Sequence, residues 1–306
     1  MYLVRHAIKI RTRTLDYKKA FDTLDHETLL QAMDECGIRG PTNLWFREYL
    51  TGRTVQTTVA GEAGEEAEVD LGVPTGSVYG PVGYIMHVNS VCNVVRSCRV
   101  YMYADDKCLL YSAKNIQEAR AVLQADFDRI TRWAHDNGII LNINKTKVMH
   151  MYSPYNKVAK NVNKSEISIT GHTYECMHEN NSNCVCEKLE YVDNFKYLGL
   201  WIDTHMNWKL QVDSVCGRLR SVLSKFYSLN MSLNKKTLRV IYFALADSLL
   251  SYGLSTYGRT FKTYLNSIKA LQIRFMKYLV TSKTKIECKN DYSELLNICQ
   301  VLLIKR

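Results

Sequence analysis

A pair of adjacent aspartates inside a strand-forming stretch constrains this chain more than any other feature. Residues 101–110 have the sequence YMYADDKCLL, in which apolar and aromatic residues flank Asp105 and Asp106 on both sides. The pattern predicts a β-hairpin with the two carboxylates at its tip. Asp is depleted in strands and adjacent like charges repel, so bound divalent cations would account for the pair. An ordinary polar turn, in which Asp is common, is the alternative that these residues leave open.

Length and charge indicate a globular chain with a polyanionic partner. The 306 residues, 46% of them hydrophobic, can form one large domain or two ordinary ones. The formal charge of +10 suggests RNA, DNA or an anionic surface as partner. No run of about 18 apolar residues and no signal-peptide core occurs, so we expect an intracellular protein that does not insert in membranes. The ten scattered cysteines are expected to be mostly buried thiols.

Hydrophobic periodicity divides the chain into a mixed part and a helical part. Period-two alternation predicts strands, and apolar residues three to four positions apart predict helices. The predicted strands lie within 8–15, 53–60, 65–71, 141–149, 167–174, 188–192 and 195–203. The predicted helices lie within 25–37, 41–50, 81–95, 116–138, 205–229, 234–256 and 261–281. The last hundred residues combine helical spacing with a high density of Lys and Arg, which indicates a basic helical module.

A polar stretch over 161–187 contains several candidate metal ligands. They are His172, Cys176, His178, Cys184 and Cys186. The stretch lacks the closely paired Cys-x-x-Cys unit that is typical of closed zinc sites. The pattern therefore favours a polar loop over a structural zinc site, and both interpretations stay open.

Asp16 gives the central carboxylates a third partner. It follows the first predicted strand, so Asp16, Asp105 and Asp106 are expected to meet at one edge of a sheet. Mg²⁺ prefers oxygen ligands, and two such ions can stabilise the attacking and leaving oxygens of phosphoryl transfer. Lys and Arg elsewhere in the chain would neutralise backbone phosphates. Together these features predict nucleotidyl transfer on a nucleic acid.

The motifs occur in the order found in a known family. The sequences LDYKKAFDTLDH (15–26), GVPTGS (72–77) and YADD (103–106) resemble successive motifs of reverse transcriptases. The resemblance is closest to the non-LTR (LINE-type, jockey-like) retrotransposon enzymes and extends through 138–147 and 195–203 into the helical end. It implies an α+β right-hand polymerase fold. A palm of antiparallel sheet backed by helices, with partial fingers and a primer-grip hairpin, would occupy 1–204, and an all-helical thumb 205–306.

The resemblance also implies a set of site residues. Asp16, Asp105 and Asp106 would bind Mg²⁺ or Mn²⁺, and Lys145 would lie near the leaving pyrophosphate, with Lys147 as the competing candidate. The residues implied for binding of the incoming nucleotide are Tyr17, Phe21, Thr75 and Gly76. Phe21 corresponds to the bulky residue that rejects a ribose 2′-OH. The residues implied for contacts with template or primer are Ser77, Phe195, Tyr197, Leu198 and Gly199.

Three departures from the family pattern lead to two functional interpretations. Only fifteen residues precede Asp16, where the family has a long fingers region; Thr75 replaces the usual Gln; and Lys107 follows the Asp pair directly. The first interpretation is an N-terminally truncated RNA-directed DNA polymerase that adds dNTPs to a DNA primer on an RNA template. The second is a catalytically inactive remnant that binds nucleic acid or protein partners through its basic helices. The family primes on chromosomal DNA, which favours residence in the nucleus, and the composition is equally compatible with the cytoplasm.

Overall fold

The computed structural model describes residues 6–12, 24–74, 76–104, 106–139, 141–156, 160–174, 176 and 186–280. The chain divides into two compact units, Met1–Asp193 and Asn194–Arg306. Both helices and strands are present, in agreement with the α+β class. The hairpin over 194–203 belongs to the same unit as the helices that follow it, whereas the sequence grouped it with the preceding domain.

The strands of the first unit form one large sheet and one separate hairpin. Their bounds are His6–Thr12 (β1), Arg53–Val59 (β2), Glu62–Val69 (β3), Arg99–Tyr103 (β4), Asp106–Ala113 (β5), Thr146–Met151 (β6) and Glu190–Tyr191 (β7). The large sheet has the order β4-β5-β1-β6-β7, and all its pairs are antiparallel except β6 with β7. The β4–β5 pair confirms the hairpin predicted around the aspartates. The earliest strand in the chain therefore lies in the middle of the sheet.

Helices cover one face of this sheet. Their bounds are His26–Glu35 (α1), Pro41–Leu50 (α2), Tyr79–Asn89 (α3), Val91–Val94 (α4) and Ile116–Asp136 (α5). The cap residues confirm the predicted starts of two of them: Asp25 accepts a hydrogen bond from the Thr28 N–H at 2.9 Å, and Asn115 accepts one from the Gln117 N–H at 2.9 Å. The buried cores of α1 and α5 join the strands in one cluster that includes Leu29, Met33, Leu123, Phe127, Leu109 and Val148.

The segments 167–174 and 188–192 are less regular than predicted. A 3-10 turn (Lys164–Ile167) leads to an isolated antiparallel bridge between Thr170 and Lys188, and β7 is only two residues long. The side-chain amide of Gln124 in α5 explains the irregularity. It accepts from the Thr170 N–H at 2.8 Å and donates to the Thr170 carbonyl at 2.9 Å. A side chain thus takes the hydrogen bonds that a neighbouring strand would otherwise supply.

The second unit starts with a hairpin and continues as helices. Its elements are Asn194–Tyr197 (β8), Leu200–Asp203 (β9), Lys209–Ser232 (α6), Lys235–Ile241 (α7), a π-helical segment Tyr242–Asp247, Ser248–Ser251 (α8), Leu254–Tyr257 (α9) and Lys262–Leu279 (α10). The first helix begins later than predicted because the Asp203 carboxylate accepts the backbone N–H groups of His205, Asn207 and Trp208. Among the helices of the described residues, none combines the length and apolar content needed to cross a membrane.

The helices of the second unit pack around aromatic rings. Phe226 of α6 meets Phe275 of α10 edge-to-face at 5.1 Å, and Tyr242 lies 5.5 Å from the same ring. All three side chains are fully buried. Aromatic pairs at this distance and angle contribute stabilising free energy beyond that from burying their apolar surface. These rings therefore help to hold the helices together.

Candidate active site

Three segments that carry predicted catalytic residues reach the same edge of the large sheet. In β1, Thr12 is paired with Lys107 of β5 on one side and with Thr146 of β6 on the other. Asp106 begins β5 directly after the hairpin turn, and Lys145 directly precedes β6. We call the end of the sheet defined by Thr12, Asp106 and Thr146 the Asp106 edge.

The other two predicted metal ligands lie outside the described residues, but their neighbours reach the Asp106 edge. Asp16 is four residues beyond Thr12, within about 14 Å of extended chain. Asp105 is next in sequence to Ala104, which follows β4 with a left-handed backbone (φ of 51°), and to Asp106, which is paired with Tyr103. The predicted nucleotide contacts Tyr17, Phe21 and Thr75 also lie outside the described residues.

Asp106 and Lys107 take opposite faces of β5. The Lys107 ammonium lies 5.8 Å from the ring centroid of Trp133 in α5, and its side chain is only 4% exposed. Leu109, two positions further along, belongs to the same helix-covered core. Side chains alternate along a strand, so Asp106 is on the face away from α5. Lys107 thus points away from the face that Asp106 occupies. In this arrangement the Lys107 ammonium competes least with a metal ion for the Asp106 carboxylate.

The two candidate lysines near the Asp106 edge have different surroundings. Lys147 forms an ion pair with Glu190 of β7 and donates to the Asn144 carbonyl at 2.7 Å. Lys145 is exposed and lies in the 3-10 turn Ile143–Lys145, immediately before β6. The ion pair holds the Lys147 ammonium at the β6–β7 pair, whereas Lys145 lies in the turn at the Asp106 edge.

Asn142 positions Lys145 and was not identified from the sequence. Its side chain accepts from the Lys145 N–H at 3.2 Å, and its carbonyl accepts from the hydroxyl of Thr146 at 2.9 Å. Asn is a favoured cap residue because its side-chain oxygen satisfies such exposed N–H groups. An Asn three residues before a Lys at the start of a strand was the available signal.

Asp126 anchors the segment that leads into the hairpin. Its carboxylate is fully buried in α5 and accepts the backbone N–H groups of Arg96, Ser97 and Cys98 at 3.1, 2.9 and 2.7 Å. The guanidinium of Arg129 pairs with the same carboxylate. Burial raises the pKa of Asp126, but these hydrogen bonds together hold it below its ordinary value. The start of β4 is thereby fixed to the longest helix of the first unit.

The loop with the predicted nucleotide contacts is tied to the start of α1. The Gly72 carbonyl accepts from His26 Nε2 at 2.8 Å and from Arg53 at 2.7 Å, and the Gly72 N–H donates to the Leu24 carbonyl at 2.7 Å. These bonds bring the loop that begins at Gly72 next to the chain that follows Phe21. Two predicted motifs that are far apart in sequence therefore share one anchor.

Gly76 and Ser77 lie between that anchor and α3. Gly76 has φ of 82°, a backbone conformation that glycine adopts without strain. The Ser77 hydroxyl accepts from the Gly80 N–H at 2.9 Å at the beginning of α3. Ser77 thus has a local structural role, while its predicted contact with template or primer stays a prediction.

The hairpin of β8 and β9 holds the residues that the sequence assigned to primer binding. Its turn is Leu198–Gly199, with φ of 44° and 80°, and Phe195 is buried beneath it. Positive φ at both turn residues is typical of the tightest two-residue hairpins. Tyr252 donates to the Leu198 carbonyl at 2.5 Å. Sequence reasoning missed Tyr252 because this contact spans 54 residues.

Basic side chains are exposed along the helices of the second unit. Lys262, Lys269 and Lys277 recur at spacings that put them on one side of α10, and all are exposed. Arg218 and Arg220 of α6 are also exposed. Exposed cations on rigid helices are suited to contact phosphates, and they match the basic helical module predicted from the sequence.

A second group of metal-type ligands is built from residues that are not part of the Asp106 edge. His172, Cys176 and Cys186 place one donor atom each within 4.8 Å of one another. His178 and Cys184, the remaining members of the set noted in the sequence, lie outside the described residues.

Comparison with known proteins agrees with the motif order. A family model for reverse transcriptase (RNA-dependent DNA polymerase) matches residues 6–202. The chain is 24% identical over 275 residues to the RNA-directed DNA polymerase from mobile element jockey of Drosophila melanogaster, covering 86% of this chain and 27% of that protein. It is 23% identical over 265 residues to a probable RNA-directed DNA polymerase from transposon X-element of the same species, covering 84% of this chain and 27% of that protein.

A solved structure of telomerase from Candida albicans, in complex with a fragment of telomeric RNA, aligns with a TM-score of 0.47 and 12% identity over 99% of this chain and 52% of that chain. The chain spans about a quarter of the length of the curated relatives it matches. The family match covers most of the chain and includes the hairpin with the aspartate pair. The resemblance to non-LTR retrotransposon enzymes is confirmed, and the chain belongs to the reverse transcriptase family.

Proposed function

We propose that this chain is the palm and thumb part of an RNA-directed DNA polymerase that adds dNTPs to a DNA primer on an RNA template. The supporting observation is the convergence at the Asp106 edge. The end of β1, the aspartate hairpin and the start of β6 are neighbours there because β1 pairs with both β5 and β6. In a member of the reverse transcriptase family, this edge is the proposed site of nucleotidyl transfer.

Asp16, Asp105 and Asp106 are the proposed ligands of Mg²⁺ or Mn²⁺, with Asp16 and Asp105 the principal ones. A set of carboxylates fits these cations, which prefer oxygen donors. When bound, two such ions would stabilise the oxygens that attack and leave during transfer. The turn after β4 and the chain after β1 would deliver the carboxylates from two different strands. Asp106 would contribute from the first position of β5.

Lys145 is the proposed cation near the leaving pyrophosphate. Its exposed ammonium follows the Asn142 cap and precedes β6 at the Asp106 edge. A positive charge at this position would offset the charge that develops on the leaving group, or would donate a proton to it. Lys147, which forms an ion pair with Glu190 of β7, is the competing candidate.

The remaining roles concern the substrates. Tyr17, Phe21, Thr75 and Gly76 are proposed to contact the incoming dNTP, with Phe21 excluding the 2′-OH of ribonucleotides. Ser77 and the β8–β9 hairpin (Phe195, Tyr197, Leu198 and Gly199) are proposed to contact template and primer. The exposed basic residues of α6 and α10 would hold the template–primer duplex through its phosphates.

Primer extension tests the proposal directly. The purified chain is incubated with a DNA primer annealed to an RNA template, dNTPs and either Mg²⁺ or Mn²⁺. We expect extension that Asp105→Asn abolishes, because an amide cannot replace a charged metal ligand. Glu48→Gln, at an exposed position of α2, is the matched control and should leave extension unchanged. Full extension by Asp105→Asn would contradict the proposed role of the aspartate pair.

A nucleic-acid-binding protein without polymerase activity is the second candidate. The exposed lysines and arginines of α6 and α10 favour it, as does Thr75 in place of a longer polar side chain. In this case the chain would bind RNA or DNA with an affinity that falls steeply with salt, and no metal would support extension. Extension by the wild-type chain would exclude this candidate.

A further inference from the structure

We propose that His172, Cys176 and Cys186 form a zinc site in the connection between β6 and β7. The half-buried imidazole and the two thiols place their donor atoms within 4.8 Å of one another. This group is built from residues outside the Asp106 edge, and the proposal stands independently of polymerase activity. Two thiolates and one neutral imidazole form a donor set that suits zinc better than it suits cations with a preference for oxygen ligands, such as Mg²⁺.

One of the three donor distances has the value that a shared zinc ion requires, and the other two are within 4.8 Å. With Zn–S of about 2.3 Å and Zn–N of about 2.0–2.1 Å, tetrahedral angles put N and S ligands about 3.6 Å apart. The same geometry puts two S ligands about 3.8 Å apart. The distance from His172 Nδ1 to Cys176 Sγ is 3.7 Å. Only small side-chain adjustments would therefore be needed to enclose an ion.

The backbone brings His172 and Cys186 together across an antiparallel pairing. Thr170 bridges Lys188, the Gly171 N–H donates to the Glu187 carbonyl at 2.8 Å, and the Leu189 N–H donates to the Ile169 carbonyl at 2.8 Å. The sum of the paired residue numbers is constant in an antiparallel ladder, so His172 is opposite Cys186. Directly opposite side chains lie close to each other on the same face.

Cys176 reaches the same point through a helical turn. Its N–H donates to the hydroxyl of Thr173 at 3.3 Å, which caps the turn that begins after His172. The spacing of four residues returns the side chain of Cys176 to the side of His172. The ring of Tyr174 stacks on His135 of α5 at 3.5 Å with an interplanar angle of 2°. This stacking holds the turn against α5.

The framework behind the ligands is rigid and well packed. The bridge at Thr170 is fixed to α5 by both hydrogen bonds of the Gln124 amide. Ile169 and Leu189 are buried in the core, and a Cβ at Gly171 would lie 2.8 Å from the side chain of Ile143. Gly171 therefore permits the close approach that sets the position of His172. A preformed site loses little conformational freedom when a cation binds.

Zinc would act as a clamp in this position. It would tie the turn at Cys176 to the antiparallel pair that enters β7, and so close the connection 172–186. Because the ligands come together only in the folded chain, zinc binding would stabilise the native state.

Metal analysis of the full chain tests the proposal. The chain is produced with zinc in the medium and an affinity tag that lacks histidine, and the zinc-to-protein ratio is measured by mass spectrometry. We expect one zinc per chain in the wild type and background levels in Cys176→Ser and Cys186→Ser. Cys36→Ser, at an exposed cysteine after α1, is the matched control and should retain the ion.

A pair of variants at His172 separates metal binding from a packing role. His172→Ala should lose zinc, whereas His172→Cys supplies another soft donor and should retain it. Circular dichroism verifies that each variant is folded. If a cysteine variant is unfolded, the comparison of His172→Ala with His172→Cys still shows whether zinc binding depends on a donor atom at residue 172. A chelator should lower the thermal midpoint of the wild type and leave that of Cys186→Ser unchanged.

Three results would overturn the proposal. A wild-type chain with no bound zinc, unchanged zinc content in both serine variants, or a disulfide between Cys176 and Cys186 in the purified chain would each contradict it. Intact mass measured with and without thiol alkylation detects the disulfide.

Discussion

Replacing Asp126 with Asn should release the segment that leads into the aspartate hairpin. The substitution keeps the size of the side chain but removes its charge. In the wild type, the buried carboxylate accepts three backbone N–H groups at 2.7–3.1 Å and pairs with Arg129. In the variant, the amide nitrogen would face N–H groups that need an acceptor. At least one donor at 96–98 would then be buried without a partner.

The magnitude follows from the number and type of these bonds. Hydrogen bonds to a charged group are worth about 1.5–3 kcal/mol each, and a buried donor left without a partner costs about 1–3 kcal/mol. These contributions are not additive, because the remaining oxygen of Asn keeps some of the bonds. We expect the free energy of local opening at 96–98 to fall by about 3 kcal/mol. The segment would then open roughly a hundredfold more often.

Native-state hydrogen exchange is the suitable assay, because the chain has two units and global unfolding is not expected to be a single transition. The amides of 96–98 should exchange roughly a hundredfold faster in Asp126→Asn than in the wild type. Asp136→Asn changes an exposed carboxylate of the same helix and should alter exchange at these amides very little. Unchanged protection in a folded Asp126→Asn chain would refute the anchoring role.

The same variant has a defined pH dependence. The pKa of Asp126 is lowered in the folded chain, so its contribution to stability is fully present above the unfolded value of about 3.9. The contribution is lost as the pH falls through the folded value. The difference in stability between wild type and Asp126→Asn should therefore be constant above about pH 5 and shrink below about pH 4. Hydrogen exchange of the amides of 96–98 at a series of pH values, corrected for the intrinsic exchange rate at each pH, measures this difference.

Three further variants test other parts of the structure. Lys145→Ala should lower the extension rate roughly a hundredfold if its charge stabilises the leaving group, and Lys147→Ala should lower it far less; single-turnover primer extension compares them. Phe21→Ala should raise incorporation of ribonucleotides, measured as the ratio of rNTP to dNTP extension, and equal ratios would reject the steric role. Gly253→Ala should destabilise the second unit by about 2–3 kcal/mol, because φ is 70° and a Cβ would lie 2.6 Å from a leucine side chain. Gly217→Ala, with open space around it in a helix, should be neutral or stabilising, and native-state hydrogen exchange within the second unit compares the two glycine variants.

Local chemistry made several elements predictable from the sequence. The starts of α1 and α5 and the periodicity of α5 depend on residues within a few positions of one another, and these predictions were confirmed. The hairpin around Asp106 was predictable for the same reason, since strand-forming residues flank a short polar turn. The order of motifs identified the family before any contact was known.

Long-range contacts carried no comparable signal. Asp126 anchors amides 28–30 residues earlier, and Tyr252 supports a turn 54 residues away. Neither side chain differs from an ordinary helical residue when the sequence is inspected alone. The group of His172 and Cys186 lacked the expected ligand spacing, because an antiparallel pairing brings the two residues together. These features depend on tertiary structure that local patterns do not encode.

The central position of β1 has a consequence for how the sheet is assembled during synthesis. β1 comprises His6–Thr12, but its partners in β5 and β6 extend to residue 151. At about 5–20 residues per second, the ribosome needs on the order of ten seconds to complete those partners after β1 has emerged. Until β5 is complete, β1 has neither neighbour, and from then until β6 is complete β1 presents an unpaired edge to other chains. Folding of the first unit is thus expected to be slow and prone to aggregation, and deletion of 6–12 would expose two sheet edges at once.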